Sequence, residues 1–300
     1  MRPFGRIFLF FIVKIFPMSR SFDYHNLTSG ELELLVFTDL NDTLLDRKYD
    51  FSPAGEALEL LRERGIPLII TTSKTRGQAE IYRSRLGLQH PLIVENGAAV
   101  HFPAGSFPVG KLPSGCHFRG GEWVWELARG VEALIPELQD AARSVEAEIE
   151  MIFDMTISRI REITGMSEEE SRLAKERSYI VYFLCSSGRE QLIEELRRRG
   201  LKITWGSYFL HLGSTNDKGL AVQRLTSLYR NLGNHRLISA GFGDNMNDLG
   251  MFQNVSRGFL VEQPGGGYTP GIEGDNIERL EGVGPSGWNR GVKLLLNSIA

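Results

Sequence analysis

The stretch from Leu34 to Gly97 constrains the fold most. Three short apolar runs, Leu34–Thr38 (LLVFT), Pro67–Thr71 and Leu92–Val94, alternate with two segments of helical character. Apolar runs of this length read as strands buried on both faces. The first helical segment opens on Ser52-Pro53, carries Leu58, Leu60 and Leu61, and stops at Gly65. The second runs from Gln78 to Leu86. Parallel neighbours need a crossover, so this alternation predicts a parallel sheet with helices on its faces.

After Gly97 the pattern changes. Residues 103–121 are rich in Gly and Pro and read as a linker or hairpin region. From Glu122 to Ala142, Trp123, Leu127, Val131 and Leu134 recur near helical spacing, which predicts a helix with Trp123 in its core and Trp125 at its rim. Thr156–Ile163 reads as a short helix closed by Gly165. Ser167 with Glu170, and Ser187 with Glu190, have the spacing of capping boxes. Tyr179–Cys185 is a predicted strand, and Leu201–Thr204 with Tyr208–Leu212 a predicted hairpin. Alternation then returns: a helix over Lys218–Leu228, strands over Leu237–Ala240 and Gly258–Val261, a short helix over Asp248–Phe252 and a terminal helix around Val292–Leu296, with 264–287 rich in loops.

The expected architecture is α/β: a doubly wound, mostly parallel, Rossmann-like core in two pieces, 34–103 and 207–300, with an α+β cap domain inserted at 104–206. A chain of 300 residues accommodates about two domains. Residues 1–33 read as an N-terminal extension. Its apolar run Ile7–Ile15 is broken by Lys14 and is far short of the roughly 20 residues of a spanning helix. Met18 offers a later start, with 1–17 an over-extended translation; a weak anchor or signal is the alternative. A net charge of −3 gives no basic field for nucleic acid. Cys116 and Cys185 lie far apart and read as reduced thiols of a cytoplasmic protein. The six histidines show no HxxxH or HxH spacing, so no zinc site is expected.

In open parallel sheets, ligands sit at the carboxyl ends of the strands. Those ends carry polar chemistry here. Asp39-Leu40-Asn41-Asp42-Thr43 follows the first strand, Thr72-Ser73-Lys74 the second, and Gly243-Asp244-Asn245-Met246-Asn247-Asp248 a later one, while Asp217-Lys218 opens a helix. Carboxylates from two strand ends suit a hard cation such as Mg²⁺. Hydroxyl and ammonium groups suit phosphate oxygens. A carboxylate that attacks phosphorus gives an aspartyl-phosphate. Singly, each of these residues is an ordinary cap, turn or surface residue; in this order they form a constellation.

Over most of 34–298 the constellation resembles the haloacid dehalogenase superfamily of phosphotransferases. The resemblance implies that Asp39 is the nucleophile and that Thr43 closes its loop. It implies that Thr72, with Ser73 beside it, and Lys218 hold the phosphoryl group. Asp244 and Asp248, with Asp39 and the carbonyl of Asn41, would hold Mg²⁺, and Asn247 supports that loop. Within the superfamily, Thr72-Ser73-Lys74-Thr75-Arg76, Phe153-Asp154-Met155-Thr156, Ile163-Thr164-Gly165-Met166, Leu173-Ala174-Lys175-Glu176-Arg177 and Gly284-Pro285-Ser286-Gly287-Trp288 resemble the mannosyl-3-phosphoglycerate phosphatases. That likeness implies a small phosphorylated sugar-glycerate as substrate, mannosylglycerate, a compatible solute, as product, and Lys74 and Arg76 as readers of the glycerate carboxylate.

Two departures stand out. The superfamily places an acid/base Asp where this chain has Asn41, and Gly where it has Asp42. An amide cannot deliver or accept the proton. Three readings stay open: Asp42 swings in as the acid/base, the enzyme is slow, or the chain is an impaired binding module. The family also has a Glu-Pro pair shortly after the arginine that matches Arg177, where this chain reads Ser178-Tyr179-Ile180-Val181-Tyr182. That leaves a different sugar phosphate as an alternative substrate.

Overall fold

The computed structural model describes residues 34–206, 208–214, 217–232 and 236–299. The readings made on residues 1–33 lie outside the described residues. The first half of the core runs β1 (Leu34–Thr38), α1 (Gly55–Glu63), β2 (Leu68–Thr71), α2 (Arg76–Arg85) and β3 (Leu92–Val94). A meander follows: β4 (Ala99–Pro103), β5 (His117–Arg119) and β6 (Glu122–Glu126). Next come α3 (Val131–Ser144), β7 (Glu148–Met151), α4 (Ile157–Thr164), α5 (Glu168–Ala174), β8 (Val181–Ser187), α6 (Arg189–Arg198), β9 (Lys202–Trp205) and β10 (Leu210–Gly213). The chain closes with α7 (Lys218–Arg230), β11 (Ile238–Gly243), α8 (Leu249–Gln253), β12 (Arg257–Glu262), β13 (Ile277–Val283) and α9 (Gly284–Ser298).

The large sheet has the order β13-β12-β11-β1-β2-β3-β4-β6-β5. From β13 to β3 every pair is parallel, and from β3 to β5 every pair is antiparallel. Successive residues of β1 face opposite sides of the sheet. Leu34 and Val36 join the apolar layer with Leu61, Tyr82 and Trp288, while Leu35 and Phe37 join that with Val222, Leu225 and Phe252. Both faces are therefore covered, which is why LLVFT is apolar throughout. From β1 the chain moves to β2 and β3 on one side, and it later returns to β11 on the other. The crevice of such a switch opens between the carboxyl ends of β1 and β11.

The small sheet, β7-β8-β10-β9, is antiparallel throughout. Leu134 and Leu138 of α3 and Leu192 and Leu196 of α6 pack on one of its faces. Ile160 of α4 and Ala174 of α5 join the other cluster, with Tyr182. The short helices form as their caps dictate. Thr156 accepts the amide of Arg159, Gly165 ends α4 at φ 72°, and Ser167 and Glu170 form a reciprocal capping box.

Several strands differ from the sequence reading. Residues 104–126 were expected in the cap, but β5 and β6 extend the large sheet through β4. The predicted helix therefore begins only at Val131. Trp123 and Trp125 lie on β6, half-buried, while Glu122 and Val124 are buried on the opposite face. The true period there is two, and the fourfold recurrence of apolar residues imitated a helix. Conversely, β10 belongs to the small sheet, because the β9–β10 hairpin carries it past position 206. Helix α6 is capped by Gly188 at φ 70° and not by Ser187. Finally, β13 lies inside the stretch read as loop. Four of its seven residues are exposed and only Leu280 is buried, as expected of an edge strand, and that removed the apolar signal.

Candidate active site

Asp39 is the first residue beyond β1. Its amide donates to the carbonyl of Phe242 at 2.9 Å, which continues the β1–β11 ladder by one rung. The chain then turns tightly: the amides of Thr43 and Leu45 both return to the carbonyl of Leu40, at 3.3 and 2.7 Å. Asp42 takes the left-handed conformation, φ 53°, at the apex of that turn. This conformation suits glycine best, and Asp is among the few other residues that tolerate it. Behind the loop, Trp288 is fully buried and donates Nε1–H to Thr38 Oγ1 at 3.0 Å. Helix α9 thus braces the strand that presents Asp39.

Three loops converge on Asp39. Lys218, wholly buried at the start of α7, donates from Nζ to Asp39 Oδ1 at 2.7 Å and to Asp248 Oδ1 at 2.6 Å. Its position is fixed by backbone contact. A Cβ on Gly97 would meet the carbonyl oxygen of Asp217 at 2.1 Å, so only glycine lets the β3 turn approach α7 this closely. Thr43 Oγ1–H donates to Asp244 Oδ1 at 2.9 Å and ties the loop after β1 to the loop after β11. Asp248 accepts the amides of Asp244 and Asn245 through Oδ2, at 3.1 Å each. Gln263 and Thr269 complete the shell. Gln263 Nε2 reaches Asp244 Oδ2 at 2.8 Å, and Thr269 donates to the Asp244 carbonyl at 2.7 Å. Sequence reasoning passed over Gln263, although it directly follows β12, another parallel strand with its carboxyl end at the site.

Carboxylate oxygens of Asp39, Asp244 and Asp248 all lie within 4.8 Å of one another, and all three residues are buried. Burial pushes Asp39 up to about 6 against the pull of Lys218. Burial, and then the charges of Asp248 and Asp39, push Asp244 up to about 8. Burial disfavours the charge on Lys218, yet Asp248 and Asp39 outweigh it and hold the ammonium above the ordinary lysine range. One ammonium, paired with Asp39 and Asp248, leaves Asp244 without a cationic partner in the cluster, and a hard cation would supply the missing positive charge. The residues therefore fit a divalent metal. Asp248 bonds Lys218 and the amides of Asp244 and Asn245, and so ties the start of α7 to the loop after β11.

The remaining candidates fall into two groups. Thr72 is buried at the end of β2, where its Oγ1 accepts the amide of Lys74 at 3.2 Å and its carbonyl accepts that of Asn96 at 2.9 Å. Asn247 is exposed and donates to Asn96 Oδ1 at 3.4 Å. Lys74 is buried, and its charge interacts with that of Asp39. Arg76 is turned elsewhere: Nε donates to Glu122 at 2.9 Å and the guanidinium also pairs with Glu80 at 3.4 Å. Burial would raise Glu122, but His101, Arg76 and Arg83 hold it well below the carboxylate range. Asn41 is exposed, and its side chain makes no hydrogen bond among the described residues. Asp42 lies with Oδ1 3.9 Å from Arg47 Nε, and burial raises it despite that arginine.

A buried carboxylate clamped by a lysine, beside an acidic cluster at the switch point of a parallel sheet with an inserted cap, is the arrangement implied by the resemblance to the haloacid dehalogenase superfamily. A profile of haloacid dehalogenase-like hydrolases matches residues 36–107. The chain is 35% identical over 266 residues to the glucosyl-3-phosphoglycerate/mannosyl-3-phosphoglycerate phosphatase of Methanococcoides burtonii, covering 87% of this chain and 97% of that protein. It is 35% identical over 230 residues to the mannosyl-3-phosphoglycerate phosphatase of Pyrococcus furiosus, covering 76% and 90%. A phosphatase of the haloalkanoate superfamily from Bacteroides thetaiotaomicron shares the fold, with a TM-score of 0.61, 16% identity and coverage of 91% of this chain and 97% of that one. The chain belongs to the haloacid dehalogenase-like hydrolases and is a phosphoric monoester hydrolase. No helix among the described residues is long and apolar enough to cross a membrane.

Proposed function

We propose that the enzyme removes phosphate from a 2-O-glycosyl-3-phosphoglycerate, mannosyl or glucosyl, to give the glycosylglycerate. The observation that carries this reading is the clamp of Lys218 on Asp39, set in a chain whose relatives are named for those two substrates. Asp39 attacks phosphorus, the 3-oxygen of the glycerate leaves, and water then cleaves the aspartyl-phosphate. Lys218 and Thr72 hold the phosphoryl oxygens, and Thr43 holds Asp244 in place. Asp39, Asp244 and the carbonyl of Asn41 would hold Mg²⁺, with Asp248 supporting them; the ion supplies charge neutralisation as the phosphoryl group moves. Unpaired Cys116 and Cys185 accord with a cytoplasmic setting.

Asn41 bears on the rate. Among the described residues neither the Asn41 nor the Asp42 side chain hydrogen-bonds to Asp39, and Asp42 is drawn towards Arg47. Protonation of the leaving oxygen and activation of water then fall to solvent, and a slow phosphatase is the reading this arrangement favours. The test is phosphate release with Mg²⁺ from mannosyl- and glucosyl-3-phosphoglycerate. Turnover that disappears in Asp39→Asn supports the proposal. No release from either substrate overturns it.

A further inference from the structure

The loop after β12 closes on itself before it reaches the site. The amide of Gln263 donates to the carbonyl of Gly267 and the amide of Gly266 to the carbonyl of Gln263, both at 2.8 Å, with Gly266 and Gly267 at φ 84° and 77°. Glycine takes that left-handed conformation without a steric penalty. The turn brings Gln263 and Thr269 side by side, and Gln263 Nε2 donates to Thr269 Oγ1 at 3.2 Å. The loop is held at two further points. The Tyr268 hydroxyl donates to the carbonyl of Leu280 at 3.1 Å, and Ile272 is buried in the apolar layer with Phe252 and Leu260. Both polar side chains therefore stand on a braced support.

Both converge on Asp244, which lies 19 and 25 positions earlier in the chain. Gln263 Nε2 reaches the Asp244 carbonyl at 2.7 Å and Oδ2 at 2.8 Å, and Thr269 Oγ1 donates to the same carbonyl at 2.7 Å. A main-chain carbonyl only accepts, so Gln263 must present its NH₂ group there. Thr43, from the loop after β1, donates to Oδ1 at 2.9 Å. Asp244 is thus gripped at its main chain and at each carboxylate oxygen, by donors from two different loops. Each oxygen still has a lone pair for a cation. Held at both oxygens, the group cannot turn freely to suit a larger ion. Mg²⁺ demands near-ideal octahedral geometry from rigidly placed oxygens, whereas Ca²⁺ takes more ligands in flexible, often bidentate, arrangements.

We infer that Gln263, supported by Thr269, is a positioning residue of the metal site, and that by fixing Asp244 together with Thr43 it biases the site towards Mg²⁺ over Ca²⁺. The inference rests on the metal reading within the function proposed above and adds the residues that set the choice of ion. Gln263 acts through Asp244 and not on the substrate. Partners of this kind, which hold a ligand carboxylate from behind, typically account for about 10–100-fold in metal affinity.

The test titrates Mg²⁺ and Ca²⁺ separately into the full chain without substrate and reads each affinity from the rise in melting temperature. Gln263→Leu keeps much of the side chain's bulk and removes its donors. It should weaken Mg²⁺ by about tenfold or more and Ca²⁺ by no more than about threefold, so that the ratio of the two affinities moves towards Ca²⁺. Gln263→Asn, too short to reach Asp244, should move the ratio the same way. Thr269→Val should do so as well, and Thr269→Ser, which keeps the hydroxyl, should restore it. These three variants decide the matter if Gln263→Leu does not fold. A ratio unchanged in the folded variants overturns the inference, whether both affinities hold or fall in parallel: a merely structural role lowers the melting temperature without metal and leaves the ratio alone. A wild-type chain whose melting temperature neither ion raises overturns it too. The two proposals fail separately. A wild-type chain that binds Mg²⁺, with the ratio shifted in Gln263→Leu, but releases no phosphate from the glycosylated substrates defeats the proposed function alone; one that releases phosphate, with a ratio that Gln263→Leu does not move, defeats this inference alone.

Discussion

Glu95 of the core and Tyr179 of the cap are joined across the domain junction: the Tyr179 amide donates to Glu95 Oε2 at 3.1 Å. The same carboxylate accepts Ser178 N–H at 2.8 Å and Ile180 N–H at 3.0 Å, and it is 2% exposed. Its residue takes φ 46°, followed by Asn96 at 55° and Gly97 at 86°. That left-handed turn also touches the site. Asn96 bonds Asn247 and the carbonyl of Thr72, and Gly97 packs on the peptide before Lys218. The seat of the cap and the candidate active site thus share one turn.

Glu95→Gln tests this link. The amide NH₂ would face at least one cap N–H, donor against donor, at a cost of about 1–3 kcal/mol. Melting should fall accordingly. KM for a glycosyl-3-phosphoglycerate should rise at least severalfold, while kcat/KM for p-nitrophenyl phosphate, too small to need the cap, should hold within about twofold. Equal losses on both substrates would mean that Glu95 serves stability alone.

Asn41→Asp restores a titratable group at the place where proton transfer is expected, and such groups contribute about 10²–10⁴-fold. A gain in kcat of at least about tenfold is expected. Asp42→Gly should leave kcat within about twofold, since Asp42 is directed towards Arg47, and should not lower the melting temperature, because φ 53° suits glycine. Loss of activity in Asp42→Gly, with no gain in Asn41→Asp, would identify Asp42 as the acid/base.

How far the sequence carried is clear from particular residues. Strands buried on both faces announced themselves: LLVFT could hardly be anything else, and Asp39 followed directly from its carboxyl end. Strand β6 was hidden because Trp123 and Trp125 are half-buried on the face opposite Glu122 and Val124, so no clean apolar/polar alternation appears. The partners of Glu95 and Arg177 were hidden for another reason. Each acts through backbone atoms some 80 to 100 positions away, and amides and carbonyls carry no mark in a sequence. Arg76 shows the converse. Its place beside Lys74 suggested the substrate, while Glu122, brought in by the unread strand, claimed it.

The cap carries a pH signature. His211 stacks on Tyr182 with centroids 3.8 Å apart, and burial, with the nearby charge of Arg177, lowers it to about 3. The unfolded chain takes up a proton near the ordinary value of about 6.5, whereas the folded chain does so only near 3. Between these values the unfolded state binds more protons, so stability rises with pH there and is lost on acidification below about 6.5. The effect is at most about 1.4 kcal/mol per pH unit. His211→Phe keeps a ring in the stack and removes the titration. Its melting temperature should therefore fall less than that of wild type between pH 6.5 and 5, measured by circular dichroism; equal slopes would refute the assignment.

Lys218 is wholly buried between Asp39 and Asp248. Truncating one member of a buried ion pair typically costs about 3–5 kcal/mol, because the surviving charges are left unpaired. Here the survivors can neutralise instead. Asp39 already lies near 6 with the lysine present, and without it the same burial would push the carboxyl higher. A protonated Asp39 is no nucleophile. Lys218→Met should therefore lose kcat by several orders of magnitude at neutral pH and recover part of it as pH rises and Asp39 ionises. Wild type should show no comparable rise, because its ammonium favours the carboxylate. A pH–rate profile of both proteins decides it: a uniform, pH-independent loss in Lys218→Met would mean that the lysine acts on the phosphoryl oxygens alone and not on the ionisation of Asp39.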